Sequence, residues 1–564
     1  MKKLRWQLLV VVLALAAIGA LLLSQQQVTL PGIEAVDEPV AGGVYTEALI
    51  GSLGRLNPVL DYYNPADYDI DRLLFSSVMR FDSRGLPYYD LAQDIGISQD
   101  GRDYNFSIRP DAVWHDGEPV TSDDVIFTIE MMQDDAIPLP PDIKEFWGQV
   151  KVLAINEKTI QFKLPEPFAP FMDYLTFGVL PRHLLEGVDA QQLADAAFNL
   201  EPIGSGPYRF ENLIVEDGKI AGVVLAAFDD YYGKKPFIEK VVFRYYPDAS
   251  TALDAYDQGE VLGISQITKD VLPRALKEPN LNLFTARLPR LSLIYLNLDN
   301  PTVPFFEDAN VRRALMMGLN RRWIVDRLMD GQAIIAHGPI FPESWAYYDG
   351  VEHVNFDPEA ALALLKTEGY TIPAEGGQVR AKDGVALSFK MVYPDDALYT
   401  EIAERIRDDW ARLGVKADLE PLSYDELLNN YLEPRTYQAA LVELNLGRSP
   451  DPDPYPFWHQ AQITGGQNYS QWDDRQVSEY LEQARVLDDL NERARRYRNF
   501  QVRFSSELPA LPLFFPVYSY GIDKQVNGVS IGPLFDPSDR FNNITSWYLI
   551  TGPAQGSLTP TPTP

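Results

Sequence analysis

The residue types that carry covalent chemistry are absent from this chain or stand without the neighbours they need. The sequence has no cysteine, which excludes disulfides, thiolate metal sites and cysteine nucleophiles. Ser205 is flanked directly by Gly204 and Gly206, whereas a nucleophile elbow has one residue between its serine and each glycine. The five histidines show no metal-ligand spacing and stand at positions 115, 183, 337, 353 and 459. We therefore expect no enzyme activity and no cofactor, and we disfavour an exported hydrolase.

Side chains suited to holding a small solute are concentrated between Leu446 and His459, in the stretch LGRSPDPDPYPFWH. Arg448, Asp451 and Asp453 can each pair with a ligand group of opposite charge, although aspartate beside proline is also typical of turns. Trp458, with Tyr455, can stack on a sugar ring or a peptide side chain, or can pack in a core or at a hinge. The stretch is the first candidate for a binding site.

Length and charge limit the class of protein. A chain of 564 residues with 46% hydrophobic residues can build two or three cores. Its formal net charge of -31 would repel a phosphate backbone, so we expect no nucleic-acid partner.

One stretch, Tyr104 to Glu130, combines three strong local signals. Alternation from Tyr104 to Ile108 predicts a half-buried strand. Asp116-Gly117 suits a turn that needs a positive φ. Thr121 or Ser122 can then cap a helix whose buried stripe is Val125, Ile129 and Met132.

The stretch YNFSIRPDAVWHDGEPVTSDDV resembles the signature of the family 5 extracellular solute-binding proteins of ABC transporters. The blocks Leu56-Asn57-Pro58 and Pro202 to Tyr208 resemble further parts of that pattern, as does the unit from Asp308 to Gly331. The resemblance runs from about Gly43 to Ile550. It implies an α/β fold of the periplasmic-binding-protein type II, with two α/β lobes around a ligand cleft and a family-specific extra domain.

The chain itself supports part of this architecture. Strand, helix and strand between Leu387 and Leu419 predict a parallel pair with a right-handed crossover. Proline-flanked aromatics from Leu511 to Tyr520 suit a strand that passes between domains. The domains we expect are a signal or membrane anchor with its linker (1–42), lobe I (43–75, 196–300 and 516–551), the extra domain (76–195), lobe II (301–515) and a disordered Thr/Pro tail (552–564).

By the same resemblance, several residues face the ligand. Arg448 stands where the peptide binders have an aspartate that takes the ligand's amino group, which casts doubt on a simple amine anchor unless Asp451 takes that role. The ligand-binding residues we expect are Tyr63, Asn64, Trp345, Arg448, Asp451, Asp453, Trp458 and Tyr518. For Tyr63 and Asn64 an ordinary exposed loop is equally consistent with the sequence.

The resemblance implies a monomer that captures a peptide or similar oligomeric solute and delivers it to ABC permease subunits. An oligosaccharide or a nickel complex is the alternative solute. The N-terminus has a basic start and an apolar run from Leu8 to Leu23, which indicates export. With no cysteine to accept lipid, we favour an uncleaved anchor at the outer face of the cytoplasmic membrane over a cleaved signal peptide, which would leave the protein periplasmic or extracellular.

Overall fold

A single long strand, β20 (Ala510–Asp523), joins the two halves of the principal sheet in the computed structural model. The structure describes residue 39 and residues 41–82, 84–374, 376–447 and 449–549. The predicted anchor Leu8 to Leu23, the C-terminal tail and Arg448 lie outside the described residues. Among the described helices, none has the length and apolar character needed to cross a membrane.

In the described part of the chain the principal sheet has twelve strands. Its main path runs in the order β18-β17-β19-β13-β20-β11-β1-β10-β9-β8, and β12 and β14 also pair with β20. The other bounds are β1 (Val44–Ile50), β8 (Tyr208–Glu216), β9 (Lys219–Ala227), β10 (Lys240–Tyr246), β11 (Gly263–Ile264), β12 (Leu281–Arg287), β13 (Arg290–Leu296), β14 (Ala333–Ile335), β17 (Ser388–Pro394), β18 (Lys416–Leu422) and β19 (Ala439–Asn445).

The first part of β20 pairs with β13 and β14, and its second part pairs with β12 from Arg287 to Leu281. The predicted strand is therefore present and pairs in both halves of the sheet, while its passage between domains stays a prediction. β13 also pairs with β19, on the lobe II side of the sheet. The predicted boundary between lobe I and lobe II at residue 300 stays a prediction.

The region between residues 76 and 195 carries its own four-stranded antiparallel sheet, in the order β4-β5-β7-β6. The signature stretch folds as predicted, with Gly117 at φ 94° and the backbone N–H of Thr121 donating to Asp124 at the helix start. The strands outside the principal sheet are β2 (Met79–Phe81), β3 (Pro87–Tyr89), β4 (Ala92–Ile97), β5 (Asp103–Ile108), β6 (Lys151–Asn156), β7 (Thr159–Lys163), β15 (Ala381–Lys382), β16 (Val385–Ala386), β21 (Val526–Asn527) and β22 (Tyr548–Leu549).

The helices of the described residues cover the sheets. Asp357 caps one of them, and β17, the following helix and β18 form the predicted parallel crossover unit. Their bounds are α1 (Pro65–Leu74), α2 (Ser122–Gln133), α3 (Pro141–Gln149), α4 (Arg182–Leu185), α5 (Ala190–Leu193), α6 (Ala249–Asp257), α7 (Leu272–Ala275), α8 (Ala309–Met317), α9 (Arg321–Trp323), α10 (Pro358–Thr367), α11 (Ala397–Arg412), α12 (Tyr424–Glu426), α13 (Tyr455–Trp458), α14 (Arg475–Val486) and α15 (Leu490–Glu507).

Successive residues of β13 enter different cores. Leu293 and Tyr295 lie in one apolar cluster, while Ile294 and Leu296 lie in the cluster on the opposite face of the sheet. The lobe II sheet is therefore buried on both faces, as in α/β proteins. The extra region shares its core with lobe I, because Tyr104 belongs to the same cluster as Tyr45.

The block Pro202 to Tyr208 is where the chain returns to lobe I. Its backbone lies very close to the backbone of Leu74. The Gly206 N–H donates to the Leu74 carbonyl at 2.8 Å, and a Cβ on Gly204 would lie 1.9 Å from that oxygen. Only glycine fits there, so this glycine pair has a packing role.

Candidate ligand-binding site

A small cavity lies where the chain crosses between the halves of the principal sheet. It is bounded by the β12 to β13 connection, the loop after β14 and the segment after β19. Ser344 and Ser449 are its only polar lining side chains among the described residues. The cavity is lined by Pro289, Pro339, Phe341, Ser344, Leu446, Ser449, Pro450, Pro452 and Phe535. Its volume is about 10 Å³, which is room for one water molecule, so a solute can enter only if the surrounding segments move apart.

Asp451 lies beside this wall in a buried ion pair. The residue is 6% exposed, and its Oδ2 lies 2.5 Å from Arg493 Nη2. Burial raises the pKa of Asp451, and Arg493 acts in the opposite direction. Arg493 is in turn held by the Ala484 carbonyl at 2.8 Å. The carboxylate thus has its own cation inside the protein.

Asp453 and the aromatic residues that follow it also have internal partners. Arg485 makes two contacts with Asp453, with Nη2 to Oδ2 at 2.7 Å and Nε to Oδ1 at 2.9 Å. The same guanidinium lies 3.8 Å above the ring of Tyr455. Trp458 is 2% exposed and packs against Phe504 at 4.8 Å between ring centroids. The structure therefore places Trp458 in the core of lobe II.

Trp345 comes close to the Asp451 ion pair. Its half-buried ring lies 5.1 Å from the guanidinium of Arg493 and 5.7 Å from the ring of Tyr497. The preceding residue, Ser344, lines the cavity. The predicted residues Trp345, Asp451 and Asp453 are thus brought to one side of the cavity, together with the described neighbours of Arg448.

None of the predicted ligand residues that the structure describes lines the cavity itself, and Tyr63, Asn64 and Tyr518 have other roles. Tyr63 is 67% exposed, and its ring packs edge-on against Tyr62. Asn64 caps α1, where its side-chain oxygen accepts the Ala66 N–H at 3.1 Å. Tyr518, on β20, is 5% exposed and donates its hydroxyl to the carbonyl of Ser265.

Asp173 is a site neighbour that sequence reasoning missed. It lies in a 3-10 helix (Ala169–Leu175) of the extra region, yet its Oδ2 accepts the backbone N–H of Asp451 at 2.7 Å and the hydroxyl of Ser449. Burial raises the pKa of Asp173 to about 8, and the charge of Asp451 adds to this effect. The contact joins the extra region directly to the segment Ser449 to Asp451. No local pattern around Asp173 signals it, because its partners are 276 and 278 positions away.

Glu343 is a second acidic neighbour. Its Oε2 is buried without a hydrogen-bond partner among the described residues, and Arg287 lies 3.7 Å from Oε1. Burial raises the pKa of Glu343. A buried acceptor without a donor is costly, so this oxygen is available to a ligand donor at the cavity edge.

The described residues contain no group of three or more His, Asp or Glu side chains placed to hold a metal ion. His337 and His353 stack at 3.6 Å, which the sequence spacing did not indicate. His459 instead lies 2.9 Å from Glu482.

Two lobes joined by a shared strand, with an apolar cavity at their junction, define a solute-binding protein of the periplasmic-binding type II class. Residues 87–466 match the model of the bacterial extracellular solute-binding proteins, family 5. This match covers more than half of the chain. The chain therefore belongs to that family.

Individual relatives agree with this assignment. The dipeptide-binding protein of Escherichia coli is 28% identical over 91% of this chain and 97% of its own length. The fold is similar to that of the oligopeptide-binding protein AppA of Bacillus subtilis, solved with a nonapeptide, at a TM-score of 0.69 and 24% identity. This match covers 91% of this chain and 100% of AppA. HbpA2 of Haemophilus parasuis has a similar fold at a TM-score of 0.78 and 22% identity, and the match covers 90% of this chain and 100% of HbpA2.

Proposed function

We propose that this chain is the extracellular solute-binding component of an ABC importer and captures a peptide or a similar oligomeric solute. The observation that carries the proposal is the match of residues 87–466 to the family 5 model, on a fold in which β20 joins the two halves of the principal sheet. Relatives named for dipeptides and oligopeptides support the solute class. The protein acts as a monomer, performs no catalysis and delivers its solute to permease subunits in the membrane.

We further propose that the apolar run from Leu8 to Leu23 keeps the protein at the outer face of the cytoplasmic membrane. The reasoning is that the chain has no cysteine to accept lipid, while the run approaches the length of a span. Edman sequencing of the native protein tests this directly. A mature N-terminus after Gly19 or Ala20 would identify a cleaved signal peptide.

The polar end of the solute meets the segment from Arg448 to Asp453. Asp451 and Asp453 are already paired with Arg493 and Arg485. We therefore assign the charged contact with the solute to Arg448, whose positive charge favours a carboxylate on the solute. Losing a buried charged anchor costs about 2 to 5 kcal/mol, so Arg448→Ala should weaken binding by about 30-fold or more.

The experiment begins with mass spectrometry of the solute released from the purified full-length protein, followed by calorimetry with that solute. Arg475→Ala is the matched control, since Arg475 is 82% exposed and its salt bridge, within the described part of the chain, is to Glu479 on the same helix. Scattering should show a smaller radius of gyration with saturating solute. If Arg448→Ala and the control bind equally well, within about threefold of the wild type, the anchor lies elsewhere and Glu343 is the next candidate.

A further inference from the structure

A second cavity, of about 290 Å³, lies apart from the ligand cavity, and no residue lines both. Its wall combines α1, the β2 to β3 hairpin, the end of β5, the loop after β9 and the segment from Phe541 to Thr545. The charged lining residues are Arg72, Arg80, Asp90, Arg109 and Lys234. Four cations in one cavity contrast with the net charge of -31 on the chain.

Among the described residues, Asp90 is the one acidic residue of the lining, and both of its carboxylate oxygens already accept hydrogen bonds. Its Oδ2 accepts from Arg80 Nε at 2.8 Å, and its Oδ1 accepts from the Tyr232 hydroxyl at 2.6 Å. Its backbone carbonyl accepts from Arg109 Nε at 2.6 Å. This network orients two guanidinium groups into the same cavity while supplying a single negative charge.

The remaining cations are only partly compensated. Arg72 pairs with Asp539 at 2.6 Å, and its Nε is buried without a hydrogen-bond partner among the described residues. Lys234 donates to Ser546 Oγ at 2.8 Å. Within the described part of the chain, neither Arg109 nor Lys234 forms a salt bridge with a carboxylate. With Asp90 and Asp539 counted against the four cations, two positive charges remain.

Four tyrosines also line the cavity. Tyr88 and Tyr89 are 42% and 38% exposed, the rings of Tyr231 and Tyr232 lie 4.6 Å apart, and the guanidinium of Arg109 lies 5.4 Å from the ring of Tyr232. Aromatic faces beside cations suit a ligand with an apolar or planar body and an anionic end.

We propose that this cavity binds a phosphate monoester. A phosphate monoester carries about -1.5 to -2 charges at neutral pH, which balances the two residual positive charges. The guanidinium fork matches phosphate oxygens in a bidentate geometry, and Lys234 supplies a further point charge at the exposed edge. The phosphate belongs to a free small molecule or to a phospholipid headgroup, because both present the same chemistry to the cavity.

The test uses the full-length protein in two arms. Calorimetry with phenyl phosphate at constant ionic strength measures the free monoester, and flotation with phosphatidylcholine vesicles, with and without phosphatidic acid, measures the lipid source. Lys234→Gln should weaken binding by about tenfold, as should Arg109→Gln, because each removes a charged contact worth about 1.4 kcal/mol. Arg84→Gln is the matched control, since Arg84 lies in the same hairpin, is 74% exposed and does not line the cavity.

Lys234 lies on the surface, so we expect Lys234→Gln to fold. This variant therefore tests the proposal even if Arg109→Gln does not fold. Binding of phenyl phosphate that falls in the Lys234 variant but not in the Arg84 variant supports the site with a free ligand. The same pattern with phosphatidic acid vesicles alone supports the site with a lipid headgroup. Absence of binding in both arms, or equal binding by the Lys234 and Arg84 variants, overturns the proposal.

Discussion

Replacing Asp173 by asparagine should remove part of the pH dependence of stability, and the direction follows from the position of this carboxyl. Asp173 is 8% exposed and accepts two hydrogen bonds from the segment Ser449 to Asp451. Burial is the main cause that raises its pKa from 3.8 to about 8. The folded protein therefore keeps the proton to about pH 8, while the unfolded chain loses it above about pH 4.

The sign of the effect is fixed by these two values. The folded protein holds the Asp173 proton more tightly than the unfolded chain does. This stabilisation is fully present below the unfolded pKa of 3.8 and is lost as the pH rises through the folded pKa of about 8. Between about pH 6 and about pH 8 the wild type should lose about 2 kcal/mol of unfolding free energy through this group, at 1.36 kcal/mol per unit. The asparagine side chain of the variant cannot titrate, and its amide oxygen still accepts a hydrogen bond. The Asp173→Asn variant should therefore gain about 2 kcal/mol relative to the wild type over this range.

Urea unfolding of both proteins across this pH range measures the difference directly. Taking the difference cancels the buried acids that do not contact Asp173, such as Asp61, whose pKa burial raises to about 8 in the same direction. Asp195→Asn is the matched control, because Asp195 is an exposed carboxylate of the same region. If the wild type instead gains stability relative to the Asp173 variant as the pH rises, the carboxylate is ionised in the folded protein and the reasoning is refuted.

Two other buried groups give predictions of stability. Arg540 is fully buried and pairs with Glu47 and Asp69, both at 2.7 Å, so Arg540→Met should cost about 3 to 5 kcal/mol by leaving two carboxylates unpaired. Exposed Arg475→Met should change the unfolding free energy by less than about 0.5 kcal/mol, and equal losses in the two variants would contradict the assignment. Trp458→Ala should lower the unfolding free energy, measured in urea, by about 3 to 5 kcal/mol. A decrease below about 1 kcal/mol would show that this side chain does not pack in the core.

Local signals in the sequence were sufficient for the elements whose patterns are strongest. The strand, turn and capped helix of the signature stretch form as predicted, because period-2 alternation, Gly117 and Thr121 each act over a few residues. The β8 to β9 hairpin was not predicted. Many of its residues are exposed or only partly buried, which weakens the alternation that marks a half-buried strand.

The candidate site was less predictable because its contacts join distant parts of the chain. The sequence indicated the segment from Asp451 to Asp453, but it could not show that Arg493 and Arg485 occupy those carboxylates. Asp173 reaches the segment from the extra region, and nothing in its neighbourhood indicates that contact. Composition and spacing give the residue types of a site, whereas tertiary pairing decides which charges remain for a ligand.

The internal pairing of these charges bears on how the cavity can recognise an oligomeric solute. Asp451 and Asp453 each hold an arginine, and Asp173 carries a proton near neutral pH. Little net charge is then presented to the cavity by the described residues, and its wall is mostly proline, phenylalanine and leucine. Recognition through apolar contacts and backbone groups depends weakly on side-chain identity, because every non-proline residue of a peptide offers the same backbone donor and acceptor. The cavity as it stands, about 10 Å³, holds no more than a water molecule, so the segments around it must separate before Arg448 and the free oxygen of Glu343 would fix the polar ends of a solute.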